Sequence, residues 1–191
     1  MPRIKEEIVY TFDELNDAAK EKARNWYREW ACTDNWYEDT LDDAKECLSL
    51  AGFKIDQIFF SGFSSQGDGA CFDGSWRAGN AQPVKAMKQH APKDKELHRI
   101  AAVMRDIARK HHHASMSVKH RGHYYHQGCT EFFVDAPDTA TETAIIAASR
   151  DAMQWIYRQL EQEHDYLRSD AVVDETILAN GYEFTEKGVF A

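Results

Sequence analysis

Apolar residues recur at the spacing of an α-helix in six stretches of this chain and at the spacing of a β-strand in five others. Residues Thr11 to Glu14 have the Thr-x-x-Glu form of a capping box, so we expect a first helix from there to about Ala31. A second helix is predicted from near Asp34 to Gly52, a glycine that suits the left-handed end of a helix. The apolar stripes of these two helices are Leu15, Ala19, Ala23, Trp26 and Trp30, then Tyr37, Leu41, Ala44, Leu48 and Ala51.

Four further helices are predicted from their capping residues and apolar spacing. Two of them are short, and the one that opens on a second capping box is the longest of the chain. Their starts lie at Pro83, Asp94, Thr139 to Glu142 and Ser169-Asp170, and their ends lie near Pro92, His111, Leu167 and Asn180-Gly181.

The strand-like stretches come in pairs that are adjacent along the chain. Residues 55–63 and 70–76 predict one hairpin, and residues 114–121 and 123–134 predict another, with a two-residue turn at Arg121-Gly122. Tyr182 to Phe184 predicts a last strand with its two aromatic rings in the core. Since strands in adjacent pairs favour antiparallel pairing, the expected fold is α+β. We expect an antiparallel β-sheet built from hairpins and covered by several α-helices, in a single domain of residues 1–191.

Histidine and positive charge are concentrated in one part of an acidic chain. The net charge is -9, yet residues 81–135 hold eight of the nine histidines and ten Lys and Arg against five Asp and Glu. This pattern predicts one patch that meets an anion on a surface that repels nucleic acid in general. General nucleic-acid binding is therefore not expected.

Membrane spans, secretion and a disulfide framework are not expected. No uncharged apolar run approaches the roughly 20 residues of a membrane helix, and the first residues, MPRIKEE, lack the apolar stretch of a secretory signal. We expect no membrane partner and a cytoplasmic location. The four scattered cysteines show no paired-ligand spacing and are expected to be free thiols: Cys32, Cys47, Cys71 and Cys129.

The turns of the two predicted hairpins carry the candidate binding residues. In the first turn, SSQGDG, glycines permit unusual backbone angles and could aim backbone amides at an anion. In the second, imidazole, phenol and guanidinium groups follow one another in HRGHYYH. We expect the two turns to lie side by side and form one ligand site. Its candidate residues are Ser65, Gln66, Gly67, Asp68, Gly69, Lys119, His120, Arg121, His123, Tyr124 and His126.

Three uses of these histidines stay open from the residues alone: contact with an anion or nucleotide, a structural role, or a metal site. With a two-residue turn, strand alternation places His120 and His123 on one face and His126 on the other. A metal would then need help from Asp68 and from Glu131 or Asp135, in no strong metal-binding spacing. The residues 111–113, HHH, are expected simply to offset a helix dipole. Neither a cofactor nor an oligomeric state follows from the sequence.

Four motifs resemble a family of small phage and prophage proteins that are often labelled antitoxin of a toxin–antitoxin stability system. They are TFDELNDAAKEKARNWYRE, SGFSSQGDGACFDGSW, VKHRGHYYHQGCTE and YEFTEKG, and the resemblance spans nearly the whole chain. The resemblance implies a phage-type origin, an antitoxin or counter-defence role and, for a phage product, the cytoplasm of the host cell. It implies no catalytic or ligand residues.

The favoured hypothesis is a non-enzymatic protein that neutralises its partner by stoichiometric binding at the two turns. The partner is expected to be a host or toxin protein, or an anionic small molecule such as a nucleotide. A second hypothesis is a phosphodiesterase or hydrolase that uses His120, His123 or His126 as acid and base, with or without a metal. A third is an acidic inhibitor that mimics DNA through the first two helices and the long C-terminal helix, with first-helix carboxylates such as Asp17 and Glu21.

Overall fold

The computed structural model of the chain describes residues 7–30, 35–79 and 83–191. Within them the chain forms helices and antiparallel strands, which confirms the predicted α+β fold. The helices are α1 (Asp17–Trp30), α2 (Glu38–Leu50), α3 (Pro83–His90), α4 (Lys95–Lys110), α5 (Thr139–Leu167) and α6 (Asp170–Ala179). The strands are β1 (Tyr10–Thr11), β2 (Phe53–Phe60), β3 (Ala70–Arg77), β4 (Ser115–His120), β5 (Thr130–Asp135) and β6 (Glu183–Phe184).

Contacts among the described residues divide the chain into two compact units. The central unit is Glu38–Glu161, and the terminal unit combines the residues up to Tyr37 with Gln162–Ala191. Whether the chain behaves as the single domain that its length suggests stays a prediction. No helix in the described residues combines the length and the apolar composition that crossing a membrane requires.

The central unit contains a four-stranded sheet of order β2-β3-β4-β5, in which every neighbouring pair is antiparallel. β2 and β3 form the first predicted hairpin, whereas α3 and α4 lie between β3 and β4 in the chain. Alternate residues of a strand point to the same face of the sheet. One face of this sheet is apolar and buried, and its members include Phe72, Trp76, Met116 and Val118. The fully buried apolar side chains of α4 and α5 include Leu97, Ile100, Ala101, Met104, Ile145, Ala152, Met153, Ile156 and Leu160.

The terminal unit pairs β1 with β6 and packs α1 with α6 around an aromatic cluster. Phe184 is fully buried. The ring centroids of Tyr182 and Trp26 lie 5.4 Å apart in an edge-to-face arrangement. Both aromatic residues of the predicted last strand therefore pack as expected. Arg24 of α1 donates two hydrogen bonds to the carboxylate of Asp174 in α6, at 2.7 and 2.8 Å. Such a bidentate pair fixes the two helices in register.

Two of the predicted helix starts are wrong by a few residues, because α1 begins at Asp17 and α2 at Glu38. Thr11 and Glu14 do form a capping box, but it heads one 3-10 turn, after which Leu15 is extended. α1 starts at Asp17, where Asn16 Oδ1 accepts the Ala19 N–H at 3.0 Å. α5 begins at Thr139, as predicted, and Asp138 caps it, because Asp138 Oδ1 accepts the Thr141 N–H at 2.7 Å. The predicted end at Ala31 and start at Asp34 lie outside the described residues.

Candidate functional site

The structure brings the two predicted turns together at one end of the sheet. We call residues 61–69 the glycine loop and residues 121–129 the histidine loop. A Cβ atom on Gly67 would lie 2.6 Å from Cδ1 of Tyr124, and one on Gly69 would lie 2.7 Å from Cα of His126. Protein Cβ atoms do not approach other atoms so closely, so only glycine fits at these two positions. The two loops in contact are called the joined loops below.

The predicted two-residue turn at Arg121-Gly122 is wrong. β4 ends at His120 and β5 begins at its pairing partner, Thr130, so the histidine loop has nine residues. Its base is closed by the Arg121 N–H, which donates to the Cys129 carbonyl at 2.8 Å. Residues of this wide loop also pack on the glycine loop and on Phe59 of β2. The strand alternation predicted for residues 123–126 therefore does not apply.

The glycine loop is held in shape by one of its own carboxylates. Asp68 Oδ2 accepts the backbone N–H groups of Ser64 and Ser65 at 3.0 and 2.6 Å. The Ser65 N–H, and then that of Ser64, lower the pKa of Asp68 below its usual value because they stabilise the charged form. Tyr157 of α5 donates its hydroxyl to the Gly62 carbonyl at 2.9 Å and fixes the loop from the other side. The predicted anion-binding role of these amides is wrong for Ser64 and Ser65, whose N–H groups are already bonded within the loop.

Two histidines of the site are tied into the loop framework. His120 Nε2 donates to the Tyr124 carbonyl at 3.0 Å, and the ring packs 4.9 Å from that of Phe59. His126 Nδ1 accepts the Gly128 N–H at 3.0 Å, so its proton resides on Nε2. That Nε2 faces Cys129 Sγ at 3.5 Å and, already protonated, is not a base for the thiol. Each of the two rings thus has one nitrogen bonded to the backbone of the histidine loop.

The exposed edge of the joined loops carries the remaining polar candidates. Tyr124 is 52% exposed. Its ring centroid lies 5.2 Å from that of His123 in an edge-to-face arrangement, and 6.2 Å from that of His126 in a stacked one. Arg121 donates from Nε to Glu131 Oε2 at 3.0 Å. This bond does not use its two terminal amino groups, and the Arg121 side chain is 65% exposed. Ser65 and Gln66 are exposed on the glycine loop. This edge offers an aromatic surface, an imidazole and a guanidinium to a ligand.

Asp73 of β3 connects the histidine loop to the sheet. Its carboxylate accepts the His120 N–H at 2.6 Å and pairs with Lys119 Nζ at 3.0 Å. Burial raises the pKa of Asp73, but the His120 N–H and the Lys119 ammonium outweigh that effect, and the pKa lies below its usual value. Asp73 therefore stays charged near neutral pH and fixes the start of the loop.

The sequence reasoning missed several residues that build the site, among them Phe59, Asp73, Tyr125, Cys129 and Tyr157. One signal was available for the first of them. Ile58, Phe59 and Phe60 are consecutive apolar residues, and such a run indicates a strand that is covered on both faces. Phe59 pairs with the fully buried Cys71 on the face opposite Phe72, where the rings of His120 and Tyr125 pack on it.

A metal site within the joined loops finds no support in the described residues. The one group of at least three His, Cys, Asp or Glu ligand atoms within 4.8 Å that they contain lies in α2 and α3. Of the carboxylates predicted to help, Asp68 is bonded to backbone amides and Glu131 to Arg121.

His111, the first of the HHH triplet, is the C-cap residue of α4, as expected for a residue that ends a helix.

We expect Cys129 to react with iodoacetamide at least roughly 100-fold faster than Cys71, because the thiolate is the reactive form and burial suppresses it. Cys71 is fully buried, and burial, followed by the neighbouring Cys129 and Asp73, raises its pKa to about 12. Cys129 is partly exposed. Peptide mass spectrometry over a labelling time course measures both rates. Equal rates would show that the histidine loop does not cover this face of the sheet.

A domain of unknown function, DUF8835, matches residues 36–170, which include both loops and the whole four-stranded sheet. No curated protein and no solved structure matches the chain. Because the matched region covers more than half of the 191 residues, the chain belongs to the DUF8835 family.

Proposed function

We propose that this protein acts by stoichiometric binding, without catalysis, and that the exposed edge of the joined loops takes up an anionic group of its partner. The observation that carries the proposal is the close fit of Gly67 and Gly69 against Tyr124 and His126. This fit holds the histidine loop in one conformation before any ligand arrives. A preformed loop loses less conformational entropy on binding than a flexible one.

The chemistry of the edge favours an anion beside a flat or apolar group. Arg121 retains free donors after its bond to Glu131, and His123 is exposed and gains a positive charge when protonated. Tyr124 adds a half-exposed ring on which a base or an apolar side chain can pack. A nucleotide provides these groups in one molecule, and a protein provides them as a carboxylate next to an aromatic side chain.

Binding is favoured over hydrolysis because two of the three candidate catalytic imidazoles have structural partners. His120 donates to a carbonyl and His126 accepts a backbone N–H, so a catalytic pair would have to break one of these bonds. Only His123 of the three is exposed. A single imidazole is not a paired acid and base for cleavage of a phosphodiester.

Binding at the loops is also favoured over DNA mimicry by α1. Glu21, one of the carboxylates named for that hypothesis, pairs with Arg24 at 3.2 Å and with Arg28 at 3.3 Å. Arg28 also pairs with Asp170 of α6. Carboxylates that are neutralised by arginine do not present the unshielded charge of a phosphate backbone.

The phage-type antitoxin or counter-defence role that the sequence resemblance implies fits a protein of this kind. An antitoxin that works by contact needs a preformed surface and no turnover. The partner is then a toxin or host protein, or a nucleotide signal that the protein sequesters.

His123→Ala and Arg121→Ala are each expected to weaken partner binding at least about tenfold, with a change in the free energy of unfolding of less than about 0.5 kcal/mol. Both side chains are exposed, so their removal leaves the packing intact. His113→Ala is the matched control, since His113 is also exposed but lies outside the joined loops.

Native mass spectrometry of the three variants and the wild type, purified from the cells that naturally make the protein, tests this expectation. The wild type and His113→Ala should carry a bound polypeptide or small molecule that the two loop variants lose. A bound species that His123→Ala and Arg121→Ala retain in full would contradict the proposed function.

A further inference from the structure

Three side chains with metal-ligating atoms converge where α2 meets the end of α3. Asp43 and Cys47 are one helical turn apart on α2, and His90 is the last residue of α3. Asp43 Oδ2 lies 3.8 Å from Cys47 Sγ, and Asp43 Oδ1 lies 3.3 Å from His90 Nε2. One ligand atom from each residue lies within 4.8 Å of the other two.

The separations of these atoms fit a tetrahedral zinc site. Zinc binds thiolate sulfur at about 2.3 Å and imidazole nitrogen or carboxylate oxygen at about 2.0–2.2 Å, so adjacent ligands of a tetrahedron lie roughly 3.3–3.6 Å apart. The observed 3.3 and 3.8 Å need only small side-chain adjustments to reach that geometry. The remaining pair, the Cys47 sulfur and a His90 ring nitrogen, lies within 4.8 Å, and a rotation of the exposed His90 side chain would bring these two atoms closer.

The surroundings of His90 match those of a metal-ligating histidine. Its Nε2 faces the carboxylate and thiol, whereas its Nδ1 faces Glu46 Oε1 at 3.9 Å. Metal-bound histidines usually direct their second ring nitrogen towards a carboxylate, which orients the ring and increases its basicity. Asp43 and Glu46 also give the position a negative local charge, which favours a cation.

The burial of the three residues indicates a site that is closed on one side. Cys47 is 2% exposed, while Asp43 and His90 are exposed. A metal bound by these three residues would have the buried Cys47 sulfur on its inner side. Its fourth coordination position would face solvent and hold water. The mixture of thiolate, imidazole and carboxylate suits zinc better than calcium or magnesium, which prefer oxygen ligands alone.

We propose that Asp43, Cys47 and His90 bind one zinc ion that joins α2 to α3, with water as the fourth ligand. On binding, the Cys47 sulfur forms a bond to zinc and its proton passes to solvent, with no change in oxidation state. The ion replaces the contact between Asp43 and His90 with bonds from both residues to one centre. None of these residues belongs to the joined loops, so the site is independent of the proposed function.

Calorimetric titration of the full chain, first treated with chelator, with zinc chloride tests the site. We expect one zinc per chain and an affinity that falls at least about 100-fold in Cys47→Ser and His90→Gln. Cys129→Ser and His113→Gln are the matched controls and should bind as the wild type does. Circular dichroism of each variant shows whether it is folded.

Cobalt provides a second readout that reports the ligands directly. The wild type with cobalt should show the near-ultraviolet charge-transfer absorption of a thiolate–cobalt bond and the intense visible bands of a tetrahedral ion. Cys47→Ser should lose the charge-transfer absorption and Cys129→Ser should keep it. Absence of zinc binding by the wild type, or a charge-transfer absorption that survives in Cys47→Ser, would overturn the proposal.

Discussion

Gly69→Ala is expected to separate the joined loops and to lower the free energy of unfolding by about 2–3 kcal/mol, as overpacking at a rigid contact does. The new Cβ would lie 2.6 Å from Cβ and 2.7 Å from Cα of His126. Those atoms cannot move away by a change of side-chain rotamer, so the histidine loop itself must shift. Partner binding should fall together with stability. Urea denaturation followed by tryptophan fluorescence measures the change in stability.

Gly79→Ala is the matched control for this substitution. A Cβ on Gly79 would meet nothing within 4 Å, and neither glycine has a left-handed backbone. The same methyl group is therefore added without a contact, and stability should change by less than about 0.5 kcal/mol. Equal effects of the two substitutions would show that the loops do not touch at Gly69.

Asp94→Ala is expected to lower the free energy of unfolding by about 2–4 kcal/mol, because one carboxylate has two separate roles. Its Oδ1 accepts the N–H groups of Glu96 and Leu97 at 3.0 and 2.9 Å and caps α4. Its Oδ2 accepts the indole N–H of Trp155 at 2.6 Å. Trp155 is buried, with only 3% of its surface exposed. Alanine removes the cap and leaves a buried donor without its acceptor.

Asp138→Ala separates the two contributions. Asp138 caps α5 by accepting the Thr141 N–H at 2.7 Å, and no buried indole depends on it. Its loss should lower the free energy of unfolding by about 1 kcal/mol. Thermal and urea denaturation of both variants give the comparison. If Asp94→Ala were no more destabilising than Asp138→Ala, the bond from Trp155 would contribute nothing to stability.

Local signals predicted most of the helices correctly. Pro83 opens α3 and Asp94 caps α4 as expected, and Gly52 has a φ of 90°, the left-handed value predicted for the end of the second helix. These features depend on neighbours along the chain, so a single sequence reveals them. At the first capping box the local signal was misleading, because Thr11 and Glu14 head only a 3-10 turn and Asn16 caps α1.

The histidine loop shows why the site was predicted only in part. Arg121-Gly122 resembles a short turn, and Gly122 does have a φ of 97°. The width of the loop, however, is set by residues distant along the chain: Asp73 bonds the His120 N–H, and Phe59 packs against Tyr125. Contacts of this range leave no local pattern. The composition of the loops was sufficient to predict that they lie side by side, but not which imidazoles remain exposed.

Hydrogen–deuterium exchange of the protein, with and without the partner that co-purifies from its natural cells, tests directly whether the joined loops are the binding surface. The partner should slow exchange in residues 61–69 and 119–131. The terminal unit should exchange as in the free protein. Protection confined to α1 and α6, with unchanged exchange in both loops, would contradict the claim that the joined loops are the binding surface.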